Sequence, residues 1–286
     1  MADTAHISKT NLAPYLGGRS FEEAWESYER DGYVIFPGII DRDAQDAFRA
    51  TLSPFMKREG RNDFEGIRTN RVYGLLAKSP LFADMVMHPL ALAFAEAELG
   101  ASFLLSACLA INLNPGETVQ PWHTDDGYVN IPLPRRACAV SAFWTIDETT
   151  EDNGATELIP GSHKWTTENP NLDVLRGALS ESFQSVDGLD PEVTANIVKA
   201  TMPAGSLMLT KGTLWHRGGS NTSSASRLII TPQYCAGWVR QIENLMLSTP
   251  PHIAARLPER VRELMGYSIH PPFIGYVDGT HPSRML

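Results

Sequence analysis

A change of pattern at Ala101 most constrains how this chain of 286 residues can fold. From there to about Ala236, short apolar runs are separated by Gly, Pro and Asn residues, which is typical of strands joined by turns. The candidate strands are Phe103 to Leu113, Val119 to Thr124, Ala139 to Ile146, Thr156 to Ile159, Ser206 to Thr210, Thr213 to His216 and Arg227 to Tyr234. About eight such strands closing on themselves predict a double-stranded β-helix, a cupin-like jelly roll.

The segments on either side of this core are predicted to be mainly helical. Helices are expected from the capping box at Ser20, from Asp41, from Pro80 and Pro89, from Val239 to Leu247 and from Pro258 to Met265. We therefore interpret residues 1–286 as one domain: a helical flank (1–100), a jelly-roll core (101–236) and a helical tail (237–286). A long polar loop at Thr166 to Asp190 and the tail near Pro271-Pro272-Phe273 are candidate lids.

Charge, hydropathy and cysteine content restrict the partners and the cellular location that we expect. The formal net charge of -9 disfavours nucleic acid and anionic membranes, which bind basic surfaces. No apolar run reaches membrane-spanning length, and Met1 to Thr4 lack the features of a secretory signal. Three widely spaced cysteines favour a reducing compartment. We expect a cytoplasmic protein with a small-molecule substrate, and a homodimer is left open.

The segment from Gln120 to Asp126 contains a candidate metal site. His123 and Asp125 are two residues apart, so on a strand they project from the same face, whereas Asp126 projects from the other. His216 is the best candidate for a third ligand. Two histidines and one carboxylate on one face of a metal are typical of non-haem Fe(II) oxygenases. The alternative is that the histidines pack in the core or at a sheet edge and Asp125 belongs to an ordinary turn.

Two further patterns accompany the candidate ligands. Arg227 begins an alternating strand, where a buried guanidinium would need a carboxylate partner; the alternative is a surface salt bridge. Asn153 to Lys164 is a turn, a short strand and a second turn, and we exclude its His163 from the metal site because it follows Pro-Gly-Ser in a loop. Phe143, Trp144, Trp215 and Trp238 are candidates for the walls of an apolar pocket.

Taken together, these segments resemble the phytanoyl-CoA dioxygenase family of Fe(II)/2-oxoglutarate-dependent oxygenases. The resemblance rests on Trp122 to Asp125, on Asn153 to His163, and on His216 to Asn221 followed by Arg227. Cys235 to Asn244 and Gly275 to Gly279 are similar to the bacterial and fungal branch that modifies small metabolites.

The resemblance implies a role for particular residues. His123, Asp125 and His216 match the Fe(II) ligands, and Arg227 matches the arginine that binds the distal carboxylate of 2-oxoglutarate. Gln120 and Thr156 match positions that contact this cosubstrate. Arg71 resembles a further arginine of the pocket, although a solvated surface charge is the alternative. The implied reaction consumes O2 and 2-oxoglutarate, releases succinate and CO2, and oxidises a C–H bond, most simply by hydroxylation.

Other functions remain open from the sequence. The same three ligands fit a catalytic zinc ion, so a hydrolase or isomerase is one alternative. A jelly roll that binds a ligand without catalysis is another. An acyl-CoA 2-hydroxylase is a variant of the oxygenase, but Arg135-Arg136 is the only adjacent basic pair in the β region that could bind the diphosphate of CoA. A free metabolite is therefore the expected substrate.

Overall fold

The structure is a computed structural model that describes residues 11–57, 59–181 and 188–286. Its strands are β1 (Tyr33–Phe36), β2 (Thr69–Val72), β3 (Leu104–Leu113), β4 (Ala139–Thr145), β5 (Thr156–Leu158), β6 (Val198–Lys199), β7 (Leu207–Lys211), β8 (His216–Gly218) and β9 (Arg227–Cys235). Its α-helices are α1 (Phe21–Asp31), α2 (Arg42–Leu52), α3 (Leu75–Lys78), α4 (Leu81–Val86), α5 (Pro89–Leu99), α6 (Asn171–Glu181), α7 (Pro191–Ala195), α8 (Leu245–Ser248), α9 (Pro251–Ala254) and α10 (Glu259–Met265). Within these ranges, every helix is too short or too polar to cross a bilayer.

The strands form two antiparallel sheets. The larger sheet has the order β1-β7-β4-β9-β3-β2, and the smaller has the order β6-β5-β8. Side chains from β3, β4 and β9 of the larger sheet and from β5 and β8 of the smaller one line a single cavity. This arrangement is that of a jelly roll, and the predicted fold class is confirmed.

The two faces of the larger sheet serve different purposes. Along β9, Leu228 and Ile230 pack in the main apolar cluster, whereas Ile229 and Thr231 line the cavity, as the two-residue period of a strand requires. The same apolar cluster includes Phe94 from the N-terminal flank and Leu264 from the tail. The helical flanks therefore cover the outer face of the sheet, and its inner face is left for the site.

Several predicted helix boundaries are confirmed by specific hydrogen bonds. At the start of α1, the Glu23 N–H donates to Ser20 Oγ at 3.1 Å and the Ser20 N–H donates to Glu23 Oε2 at 2.7 Å, which is a complete capping box. The Ala44 N–H donates to Asp41 Oδ1 at 2.9 Å at the start of α2.

The predicted strand from Val119 to Thr124 is wrong. Among these residues, only His123 forms a β-bridge, with His216. Pro121 has no N–H to donate. In addition, the Gly218 N–H donates to the side-chain Oε1 of Gln120 at 2.9 Å instead of to a main-chain carbonyl. The segment therefore lies beside β8 without forming a regular ladder.

The predicted helix from Val239 to Leu247 is also wrong, because only Leu245–Ser248 is helical. The backbone N–H groups of Ile242 and Glu243 donate to the side chain and carbonyl of Ser106 on β3, so they are not available for a helix.

The segment from Thr166 to Asp190 is not one long loop. It contains α6, whose Leu172 and Leu175 pack beside Trp215. Residues 182–187 of that loop lie outside the described ranges.

Candidate metal centre

His123 and His216 face each other across one β-bridge. Each backbone N–H donates to the carbonyl of the other at 3.0 Å, which fixes the two imidazoles side by side. Asp125 Oδ1 lies 3.9 Å from His123 Nε2 and 3.7 Å from His216 Nε2. One donor atom from each of the three residues lies within 4.8 Å of the others. Metal bonds to nitrogen and oxygen are about 2.0–2.2 Å long, so a small inward movement places all three on one ion.

The second nitrogen of each imidazole is already engaged. Nδ1 of His123 donates to the carbonyl of Pro121 at 2.9 Å, and Nδ1 of His216 donates to that of Leu214 at 3.0 Å. These bonds leave the lone pair of each Nε2 directed at Asp125. Burial and the neighbouring His216 lower the pKa of His123 to about 4, so its imidazole is neutral and able to bind a metal at neutral pH.

Asp125 is held by one of its two oxygens. The hydroxyl of Ser141, a buried residue of β4, donates a hydrogen bond to Asp125 Oδ2, which leaves Oδ1 for the metal side. Asp126 is turned away from the histidines. Its carboxylate accepts hydrogen bonds of 2.8 Å from Arg135 and from the Cys138 N–H. The donor set therefore fits one divalent ion bound by two neutral imidazoles and a single carboxylate oxygen.

We expect Ser141→Ala to weaken metal binding by about 10- to 100-fold, because supporting hydrogen bonds to metal ligands have effects of that size. The metal affinity is measured by isothermal titration calorimetry. Ser206→Ala is the matched control, since Ser206 is also buried but its hydroxyl donates to the carbonyl of Pro203, away from the cavity. Unchanged metal affinity in Ser141→Ala would show that Asp125 needs no such support.

The three candidate ligands open onto a cavity of about 730 Å³, which also contains Arg227. Arg227 is 3% exposed, and its guanidinium donates to the carbonyls of Asn153 and Gly154. In the described part of the chain it has no ion pair with a carboxylate. Burial lowers its pKa to about 10, partly offset by Asp147. Arg227 is thus a buried cation that can still bind an anionic ligand.

Gly154 allows the backbone to approach Arg227 closely. Its φ is +89°, and a Cβ at this position would lie 2.1 Å from Leu113 Cδ2 and 3.0 Å from Arg227 Nη2. A larger residue here would have to displace the Leu113 side chain and would crowd the guanidinium, in a backbone conformation that residues other than glycine rarely adopt.

The other predicted cosubstrate contacts also lie in the cavity wall, but two of them are already engaged. Gln120 Nε2 donates to the carbonyl of Phe64 at 2.6 Å, and Arg71 Nε donates to that of Glu65 at 2.7 Å. Both side chains therefore hold residues 61–66, which we call the roof segment. Thr156 is buried on β5 and also lines the cavity.

The roof segment lines the cavity, although the sequence predicts no lid at these residues. The Phe64 ring packs edge-on against the imidazole of His123, with the ring centroids 4.9 Å apart. Neither Thr166 to Asp190 nor residues 271–273 line the cavity in the described ranges. The roof segment has no apolar pattern and no glycine-rich motif, so only its contacts in the folded chain reveal it.

Other residues singled out from the sequence lie elsewhere. His163 is buried and its Nε2 donates to the carbonyl of Glu29 at 3.0 Å. Of the four candidate wall aromatics, only Phe143 lines the cavity; Trp144 and Trp215 pack in apolar clusters and Trp238 is 49% exposed. Ser141 is not identified from the sequence. Its one signal is that a serine interrupts the apolar run from Ala139 to Trp144, where a buried hydroxyl needs a hydrogen-bond partner.

Comparisons with known proteins agree with this site. The sequence model of the family described as phytanoyl-CoA dioxygenase (PhyH) matches residues 28–229. The chain is 29% identical to dioxygenase af480 of Aspergillus fumigatus, over 90% of this chain and 79% of that protein. It is 28% identical to dioxygenase cnsJ of Penicillium expansum, over 91% of this chain and 80% of that protein.

Two solved structures have the same fold. HygX from Streptomyces hygroscopicus, crystallised with nickel and 2-oxoglutarate, aligns with a TM-score of 0.62 at 19% identity, over 78% of this chain and 90% of that one. SnoK, described as a non-haem α-ketoglutarate-dependent carbocyclase from nogalamycin biosynthesis, aligns with a TM-score of 0.59 at 19% identity, over 76% and 85%. Because the family model covers most of the chain, this protein belongs to the phytanoyl-CoA dioxygenase (PhyH) family.

Proposed function

We propose that this chain hydroxylates a C–H bond of a small organic metabolite, with Fe(II) bound by His123, Asp125 and His216 and with 2-oxoglutarate anchored by Arg227. The chain is an Fe(II)- and 2-oxoglutarate-dependent dioxygenase, as its family and its dioxygenase relatives indicate. The observation that carries the assignment of residues is that a His-Asp-His cluster faces the same cavity as a buried arginine that has no carboxylate partner among the described residues.

Each of these side chains has a defined task. The two Nδ1–H···O=C bonds orient the imidazoles, and the Ser141 hydroxyl orients Asp125, so three donors face one point. The chemistry that bound Fe(II) supplies is activation of O2, which couples decarboxylation of 2-oxoglutarate to oxidation of the substrate, with release of succinate and CO2. Arg227 would bind the distal carboxylate of 2-oxoglutarate bidentately. Apolar side chains such as Phe143 and Ile229 line the same cavity and would help to exclude water from it.

The cavity supports a free metabolite over an acyl-CoA substrate. A volume of about 730 Å³ is within the range of small-molecule sites. Arg135 forms a buried ion pair with Asp126, and Arg136 donates to the carbonyl of Glu98 at 2.8 Å. The only adjacent basic pair of the β region is therefore engaged in the fold.

The zinc hydrolase and the non-catalytic binding protein explain less of the site. A hydrolase gives the buried guanidinium of Arg227 no role, and a simple binding module does not need three converging metal ligands. We include a cytoplasmic location in the proposal because all three cysteines are free and buried. A homodimer is also proposed, because aromatic side chains such as Trp238, Phe273 and Tyr276 are exposed and aromatic residues are enriched at interfaces.

Succinate release tests the proposed reaction. The purified protein, supplied with Fe(II), 2-oxoglutarate, ascorbate and air, is screened against a library of small metabolites. We expect some of them to stimulate succinate formation and to gain one oxygen atom, measured by mass spectrometry. A metal-dependent product that forms equally without O2 and without 2-oxoglutarate would contradict the proposal and favour the hydrolase or isomerase.

A further inference from the structure

The cavity extends far beyond the position of Arg227. Arg227, Ile229, Thr231 and Gln233 alternate along β9 and all line it. Gln233 is six residues from Arg227, which corresponds to about 20 Å along a strand. On β3, the residue opposite Gln233 is Ala107. The end of the cavity around Ala107 and Gln233 is therefore well separated from the arginine that we assign to 2-oxoglutarate.

Polar side chains collect at this far end. Thr231 and Gln233 face it from β9, and Glu243 reaches it from the tail. Thr231 Oγ1 and Glu243 Oε2 are both buried and have no hydrogen-bond partner in the described ranges. A buried polar atom left in that state destabilises the fold, because it has lost its hydrogen bonds to water without replacement. Two such atoms at one end of a cavity point to a ligand that supplies the missing donor.

A β-bulge holds Glu243 in place. The register of β3 against β9 shifts between Leu105 and Ala107, so Ser106 is the extra residue. Its Oγ accepts from the Ile242 N–H at 3.0 Å and its carbonyl accepts from the Glu243 N–H at 2.8 Å. Bulges near active sites commonly redirect side chains. Here the bulge fixes the backbone that presents the carboxylate.

The surroundings of Glu243 favour a neutral donor over a cation. Burial raises the pKa of this carboxyl group. Hydrogen bonds from the Ser248 side chain and from the backbone of Cys108 and Gly74, together with the charge of Lys78, only partly offset that effect. Lys78 already interacts with this carboxylate and disfavours a second positive charge beside it. Leu109 and Ile242 supply apolar wall beside the polar groups.

We propose that Thr231, Gln233 and Glu243 form a recognition site for an O–H or N–H group on an otherwise apolar substrate. This inference rests on the proposed function, since it assumes that the oxidised C–H bond lies near the His-Asp-His cluster. The site selects substrates with a neutral donor at the end remote from the 2-oxoglutarate carboxylate held by Arg227. The small side chain of Ala107 leaves room for that end of the molecule.

The test compares 2-naphthol, which has an O–H donor, with 2-methoxynaphthalene, its methyl ether, which has the same ring system but no donor. Their affinities are measured by calorimetry on the anaerobic protein loaded with Fe(II) and 2-oxoglutarate. We expect the wild type to bind 2-naphthol at least about fivefold more tightly, as one hydrogen bond to a carboxylate predicts. Glu243→Gln and Thr231→Val should each reduce this preference to about twofold or less, with folding checked by circular dichroism.

Thr210→Val is the matched control. Thr210 Oγ1 is likewise buried without a partner in the described ranges, but it lies on β7 and does not line the cavity. It should leave the preference unchanged. Equal affinities in the wild type, no binding of either probe, or a preference that survives both Glu243→Gln and Thr231→Val would overturn the inference. Failure of the same samples to bind 2-oxoglutarate would instead refute the proposed function.

Discussion

Asp125→Ala is expected to reduce succinate formation to the background level, and His123→Ala and His216→Ala should do the same. Each change removes one of three donor atoms that lie within 4.8 Å of one another. Loss of a supporting hydrogen bond to a ligand costs up to about 100-fold, so loss of a ligand itself should cost more. The measurements are succinate release and, independently, the affinity for Fe(II) in the absence of O2.

A histidine outside the site provides the control. His252 is exposed at the start of α9, so His252→Ala should retain full activity and full metal affinity. Circular dichroism and thermal unfolding establish that each variant is folded. An Asp125→Ala protein that is folded and still binds one Fe(II) as tightly as the wild type would remove Asp125 from the metal site.

Arg227→Ala is expected to raise the KM for 2-oxoglutarate on the order of 100-fold while leaving Fe(II) affinity nearly unchanged. Breaking a buried, hydrogen-bonded charge pair costs about 2–5 kcal/mol, and each 1.4 kcal/mol is a factor of about ten. Arg227→Lys should recover only part of this loss, because lysine keeps the charge but not the bidentate geometry. The measurements are steady-state kinetics in 2-oxoglutarate and a separate metal titration.

Measuring metal binding and cosubstrate binding separately distinguishes a lost carboxylate anchor from a damaged fold. A general loss of structure would weaken metal and cosubstrate binding together, whereas loss of the carboxylate anchor affects only the cosubstrate. Arg240→Ala, which changes an exposed arginine, should alter neither constant. An Arg227→Ala protein with an unchanged KM for 2-oxoglutarate would mean that the anion binds elsewhere in the cavity.

The strongest apolar runs of the sequence predicted their strands well. Phe103 to Leu113 and Arg227 to Tyr234 match β3 and β9 to within one residue at each end, because both are long and bury one or both faces. Strand β2 was not predicted, since Thr69–Val72 has no apolar alternation and is a strand only because it pairs with β3. The errors at residues 119–124 and 239–244 have one cause. Side chains and backbone groups there bond to distant strands, which local patterns do not encode.

The candidate site was also predictable only in part: its candidate metal ligands follow from the sequence, but the groups that position them do not. Residue types and the two-residue spacing of His123 and Asp125 indicated a metal, but only the bridge between His123 and His216 brings the third donor to the other two. The groups that position these side chains could not be inferred from the sequence. Ser141 is sixteen residues from Asp125, and the roof segment reaches His123 through Phe64. Such contacts arise from packing between elements, whereas a sequence pattern reports only neighbours along the chain.

An anaerobic titration of the Fe(II)-loaded protein with 2-oxoglutarate tests most directly whether the His-Asp-His cluster and Arg227 serve one bound metal and one bound cosubstrate. We predict that a weak visible absorption band of metal-chelated 2-oxoglutarate develops to one equivalent per chain, is absent in Asp125→Ala, and appears only at much higher 2-oxoglutarate concentration in Arg227→Ala. A wild-type protein that binds Fe(II) but develops no such band, or an Asp125→Ala protein that develops it fully, would contradict this assignment.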